Sequence, residues 1–131
     1  MRLLLDTHIW LWSRLEPAHL AKRLRRTLED KANELWLSPL SVWETLLLAE
    51  KGRITLTPTA QEWVAVALGK APMKEAPLTS EVVLAMTQIH LPHRDPVDHF
   101  LAATARAFEL TLVTADKRLL QGTGFATLPN R

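Results

Sequence analysis

Arg2-Leu3-Leu4-Leu5, closed by Asp6-Thr7, is a short apolar run that stops at a polar pair suited to open a helix. Two further stretches repeat the arrangement. Leu35-Trp36-Leu37 ends at Ser38-Pro39, and Leu110 to Val113 ends at Thr114-Ala115-Asp116. Apolar throughout and followed at once by a helix-starting residue, each reads as a buried parallel strand feeding a helix. A smaller strand is expected around Phe125 to Leu128. Between the runs the period changes. Leu20, Leu24 and Leu28 recur at four-residue spacing while Arg23, Arg26 and Asp30 fall on other faces, which predicts an amphipathic helix. Val42 to Lys51 before Gly52, Ala60 to Gly69 before Pro72, Ser80 to Ile89 before Pro92, and Pro96 to Phe108 also read as helices. Strands alternating with helices require crossover connections, so the class is α/β with a small, mostly parallel, twisted sheet flanked by helices. The stretch from about residue 38 to residue 108 is read as a helical elaboration with little room for strands.

The chain of 131 residues, 47% hydrophobic and 23% charged, suits one domain over residues 1–131 with a real core. There are no cysteines, which excludes disulfides, thiolate ligands and a cysteine nucleophile, and agrees with a cytoplasmic setting. Asp6 interrupts the N-terminal apolar run after three leucines, so it reads as a strand and not as a signal segment. No stretch approaches the roughly 18 apolar residues of a membrane span. Formal net charge is only +2, but Lys22, Arg23, Arg25 and Arg26, with Arg14 before and Lys51 and Arg53 after, form a local basic stretch. It suits steering of a polyanion, or simply a solvated helix face.

Ligands of open α/β sheets bind beyond the carboxyl ends of the strands, so acids at strand-to-helix turns stand out. Asp6 closes the first strand, Glu44 lies one to two turns into the helix after the second, and Asp116 opens the helix after the last. A fourth acid comes from Asp95-Pro96-Val97-Asp98, where Pro96 suits the first helical position, making Asp95 the cap and Asp98 the third helical residue. Each acid also has a purely structural explanation. Asp6, Asp95 and Asp116 fit helix caps, and Ser41-Val42-Trp43-Glu44 fits a capping box unless the helix starts earlier, with Ser38 as cap and Pro39 first. Together they say more. Four carboxylates in one crevice repel by several kcal/mol without a cation, and hard oxygen ligands select Mg²⁺ or Mn²⁺. The chemistry such a site serves is phosphodiester hydrolysis.

Leu4-Leu5-Asp6-Thr7-His8, the Ser41-x-x-Glu44 helix, Asp95-Pro96-Val97-Asp98 followed by Leu101-Ala102-Ala103-Thr104-Ala105, and Leu112-Val113-Thr114-Ala115-Asp116 resemble, in order, the motifs of PIN domains of VapC-like toxins. The resemblance spans nearly the whole chain. It implies a Mg²⁺- or Mn²⁺-dependent endoribonuclease acting on RNA, usually a homodimer, blocked by a cognate VapB-like antitoxin. It also implies Asp6, Glu44, Asp98 and Asp116 as metal-binding and catalytic acids, with Thr7, Ser41, Asp95 and Thr114 in supporting positions. The third motif departs from the pattern: Val97 and His99 stand where Phe and Arg are common, and His99 reads as a surface helix histidine. Of the five tryptophans, Trp36 falls in a strand and Trp10, Trp12, Trp43 and Trp63 in helices, so burial is expected in preference to stacking on RNA bases. Rival readings are a PIN nuclease of RNA maturation, a non-catalytic binding module and a phosphoacceptor receiver domain. The last wants adjacent acids after the first strand, and Asp6 has no acidic neighbour.

Overall fold

The computed structural model describes residues 1–70 and 72–131. Among them lie five strands, β1 (Arg2–Leu5), β2 (Glu34–Leu37), β3 (Met73–Glu75), β4 (Thr111–Thr114) and β5 (Ala126–Pro129), all paired in parallel in the order β3-β2-β1-β4-β5. Seven α-helices accompany them: α1 (Thr7–Leu15), α2 (Lys22–Glu29), α3 (Pro39–Glu50), α4 (Ala60–Lys70), α5 (Ser80–Ala85), α6 (Pro96–Ala107) and α7 (Lys117–Leu120).

Side chains alternate across a strand, and β1 shows what that does here. Leu3 and Leu5 join a core built with Ile9, Trp10, Leu20, Leu24 and Val64, whereas Leu4 joins a second core with Leu101, Ala102, Leu112 and Leu119. The sheet is therefore buried on both faces, with α1, α2 and α4 on one side and α6 and α7 on the other. That explains an apolar run without polar alternation. Each fully buried leucine stabilises by about 1.5–3 kcal/mol relative to exposure.

The connections run β1 to β2 to β3 outward, then cross back to β4 on the other side of β1. The order reverses between β1 and β4, which opens a crevice at their carboxyl ends. Residue Asp6 leaves β1 there, and its backbone N–H donates to Val113 O of β4 at 3.0 Å.

Some expectations need correcting. A strand, β3, does lie within the segment expected to be helical; at three residues, with Lys74 and Glu75 exposed at the sheet edge, it has no apolar run to reveal it. The helix carrying Glu44 starts at Pro39, its cap being Ser38, whose side chain accepts from Leu40 N. Ser41 is therefore the third helical residue and fully buried, and the capping-box reading of Ser41 and Glu44 falls. Helix α5 stops at Ala85 and passes into a 3-10 turn, Met86–Gln88, short of the expected Ile89. Among the described residues no helix is long and apolar enough to cross a membrane.

Candidate active site

Asp6 ends β1 and caps α1, with Oδ1 accepting from Thr7 N at 2.8 Å. Its other oxygen, Oδ2, accepts from the Thr114 hydroxyl at 2.7 Å, and Thr114 Oγ1 in turn accepts from Asp116 N at 3.0 Å. Thr114 thus ties the first acid to the last across two adjacent strands. On the neighbouring helix, the Thr7 hydroxyl donates to Glu44 and shares a 3.0 Å hydrogen bond with the Ser41 hydroxyl. Burying Ser41 of α3 against Thr7 of α1 fixes the turn from which Glu44 projects.

Asp95 caps α6 by accepting from Val97 N at 3.0 Å, which sets Asp98 in the first turn. Asp98 Oδ2 accepts from His93 Nε2 at 2.7 Å, both side chains being nearly covered. His99, expected as an idle surface residue, instead donates from Nε2 to the main-chain carbonyl of His93 at 2.7 Å and so holds the loop that carries His93. Asp116 caps α7 through Arg118 N at 2.8 Å and pairs with the guanidinium of Arg118 at 3.0 Å.

These side chains meet in one cleft of about 330 Å³ lined by Asp6, Glu44, Asp95, Asp98 and Asp116, with His8, Trp12, Ala115 and Arg118. All four acids of the predicted quartet line it, as does Asp95. Ser41, Thr7 and Thr114 stand behind them. A larger cavity of about 760 Å³ opens elsewhere, beside Leu20, Leu28, Leu35 and Met73; its lining is mainly apolar, and its acids, Glu29 and Asp30, stand among Arg14, Arg25 and Lys31, so the chemistry belongs to the smaller one.

Charge behaves as crowding dictates. Burial pushes the Asp6 carboxyl up to about 6, against the Thr114 hydrogen bond that lowers it, with Asp98 adding repulsion. Burial likewise raises Glu44, and Asp98 and Asp95 raise it further. Asp98 is raised by burial, opposed by His93, and raised again by Asp95 and Asp116. Of the quartet, Asp116 alone lies below the usual carboxylate range, held there by the Arg118 hydrogen bond.

A divalent cation fits this donor set. Every candidate ligand is a carboxylate oxygen, three of the four are held above their usual range by burial and mutual charge, and a guanidinium already bridges Asp116 and Asp98 as a cationic stand-in. Among the described residues no three of these groups converge on one point at ligating distance.

Three residues in or behind the cleft escaped the sequence reading. His93 precedes Asp98 by five positions across a turn bracketed by Pro92 and Pro96, a spacing that signals a possible pair. Arg118 follows the cap Asp116 by two, near enough to fold back on it. Trp12, expected to be buried, is half-buried: it packs against the core and also lines the cleft, its ring 5.9 Å from that of His8. Burial is correct for Trp10, which is fully covered and packs edge-on against Trp63 at 5.7 Å, and wrong for Trp43, which is exposed on α3.

The fold and the acidic crevice define a class, and comparison with known proteins gives it a name. The PIN domain family model matches residues 3–124, and the chain belongs to that family. Within it, the chain is 33% identical over 119 residues to Ribonuclease VapC22 of Mycobacterium tuberculosis, covering 88% of each. Among solved structures it is similar to VapBC2 from Rickettsia felis bound to a DNA fragment from their promoter, with a TM-score of 0.76, 15% identity and 98% of each chain covered. It is also similar to DNA-bound VapBC from Salmonella typhimurium, with a TM-score of 0.66, 18% identity, and 100% and 99% covered. At those identities the two structures speak for the fold alone.

Proposed function

We propose that this chain is a metal-dependent endoribonuclease, the toxin of a toxin–antitoxin pair, acting in the cytoplasm and restrained by a cognate VapB-like antitoxin. The observation that carries it is the meeting of Asp6, Glu44, Asp98 and Asp116 in one cleft at the strand-order reversal. The family membership and the VapC22 relative support the same chemistry.

In this reading Asp6, Asp98 and Asp116, with Glu44 beside them, hold Mg²⁺ or Mn²⁺, which when bound supplies Lewis acidity and neutralises charge at the scissile phosphodiester. The protein's own groups do the rest. Thr7 and Thr114 fix the orientation of the Glu44 and Asp6 carboxylates by donating to them. Glu44, half-buried and raised above its usual range, is suited to take the proton of a water that attacks phosphorus, while the P–O bond to the departing ribose oxygen breaks and that oxygen takes a proton from solvent. His93 holds Asp98 toward the cleft through Oδ2. The apolar cavity beside Leu20, Leu28 and Leu35 gives an antitoxin segment a place to bury apolar side chains.

A homodimer is part of the proposal. Leu84 is 70% exposed, and its neighbours Val83 and Leu78 are also uncovered, an apolar surface that a second subunit would remove from water.

The test is cleavage of cellular RNA by purified protein with Mg²⁺ or Mn²⁺. Asp116→Asn should lower the rate by at least about 100-fold with little change in melting temperature, since it removes ligand charge at constant volume. Cleavage that survives excess EDTA would overturn the metal mechanism. Co-purification with the product of an adjacent short reading frame, and loss of cleavage in that complex, checks the antitoxin.

A further inference from the structure

Arg118 is out of place in a site read as a cation trap. Its Nη2 lies 3.0 Å from Asp116 Oδ2 and 3.9 Å from Asp98 Oδ2, and its Nε lies 3.3 Å from Asp116 Oδ1. One guanidinium therefore spans two acids that come from different elements, the first turn of α6 and the cap of α7. Its main-chain N–H donates to Asp116 at 2.8 Å, so the arm is rooted at the rim of the cleft. The side chain itself is 55% exposed, which leaves it free to swing. Among the described residues lining the cleft, five are acids and only His8 and Arg118 carry basic groups.

Building on the nuclease reading, we propose that Arg118 is an internal counter-ion: it holds Asp116 and Asp98 together in the cation-free protein and must be displaced when a divalent cation binds. The guanidinium fork matches carboxylate oxygens and carries a fixed positive charge, so it relieves the repulsion that would otherwise splay these two acids. It engages oxygens of two of the carboxylates that would hold the ion, so the two would compete. Because the guanidinium is more than half exposed and lies 3.9 Å from Asp98, the competition is modest, enough to set the ion affinity without blocking the site. His93 stays on Asp98 in either state, since its hydrogen bond comes from the loop before α6, which His99 anchors. Arg118 acts as a positioning residue, through the acids it holds.

The full chain and its Arg118→Gln and Arg118→Lys variants would be titrated with Mn²⁺ alone, without RNA, by calorimetry, and melted in EDTA and in saturating Mn²⁺. Arg118→Gln should bind Mn²⁺ roughly two- to five-fold more tightly, the size expected for losing a half-exposed guanidinium as competitor. It should also melt lower in EDTA and gain more from Mn²⁺ than the natural chain does. Arg118→Lys, which keeps the charge and loses the fork, should fall between. A purely structural role would lower the melt in both conditions and leave ion affinity unchanged. Equal or weaker Mn²⁺ binding by Arg118→Gln, beside a natural chain that binds the ion and cleaves RNA, overturns this proposal alone. If the natural chain takes up no Mn²⁺, the nuclease reading and the counter-ion role both go.

Discussion

Asp6 is pulled two ways by its position. The strand end that aims it into the crevice also buries it, leaving it 8% exposed, and only the Thr7 amide and the Thr114 hydroxyl compensate its charge. With a carboxyl at about 6 in the folded chain against 3.8 as the ordinary value, the folded state binds the proton more tightly than the unfolded one. The stabilisation from this group is therefore fully present below about pH 4 and is lost as pH rises through 6, a swing of about 3 kcal/mol. Melting in EDTA between pH 4 and pH 8 should show the natural chain losing stability relative to Asp6→Asn, which cannot ionise, and that variant should cleave no RNA. A pH-independent gap between the two would mean the carboxyl is not raised. The sequence displayed Asp6, Asp98 and Asp116 because turn chemistry marks strand ends and helix starts. For His93 and Arg118 the spacing offered only a hint, because which carboxylate a ring or guanidinium reaches is decided in three dimensions.

At the level of elements, α6 shows one residue serving its helix and another serving the site. Asp95 satisfies the Val97 amide at the helix start, and Asp98, three positions on, is the acid held by His93. Replacing the cap, Asp95→Ala, should cost about 0.5–2 kcal/mol in melting experiments while much of the RNA cleavage remains. Complete loss of cleavage with unchanged melting would instead make Asp95 a direct ligand. Most elements were legible because their periods were long or their stops strong: Pro96, Gly52 and the four-residue leucine spacing of α2 all mark them. Helix α3 was displaced by three residues, since Ser38 and Ser41 are both competent caps and burial of Ser41 under Thr7 decides between them. Strand β3 was missed because its pairing with β2 is a tertiary event at an edge, made through backbone groups that any sequence supplies.

For the whole molecule, the uncovered leucine of α5 makes the dimer testable. Leu84→Lys leaves a solvent-facing helix position helical and removes apolar surface, so light scattering should shift from two subunits to one while the monomer melts cooperatively. An unchanged mass would place any dimer contact on another face. The amino-acid order alone determined the α/β class, the strand ends and the identity of the acids, because hydrophobic period and turn chemistry are local and act before any long-range contact forms. The sheet order, with β4 returning to the far side of β1, was decided only in three dimensions, and with it the convergence of residues 6, 44, 98 and 116 and the recruitment of Arg118 among them. Convergence is set by packing both faces of the sheet and by the electrostatics of a shared crevice, and each of those depends on residues remote from one another in the chain.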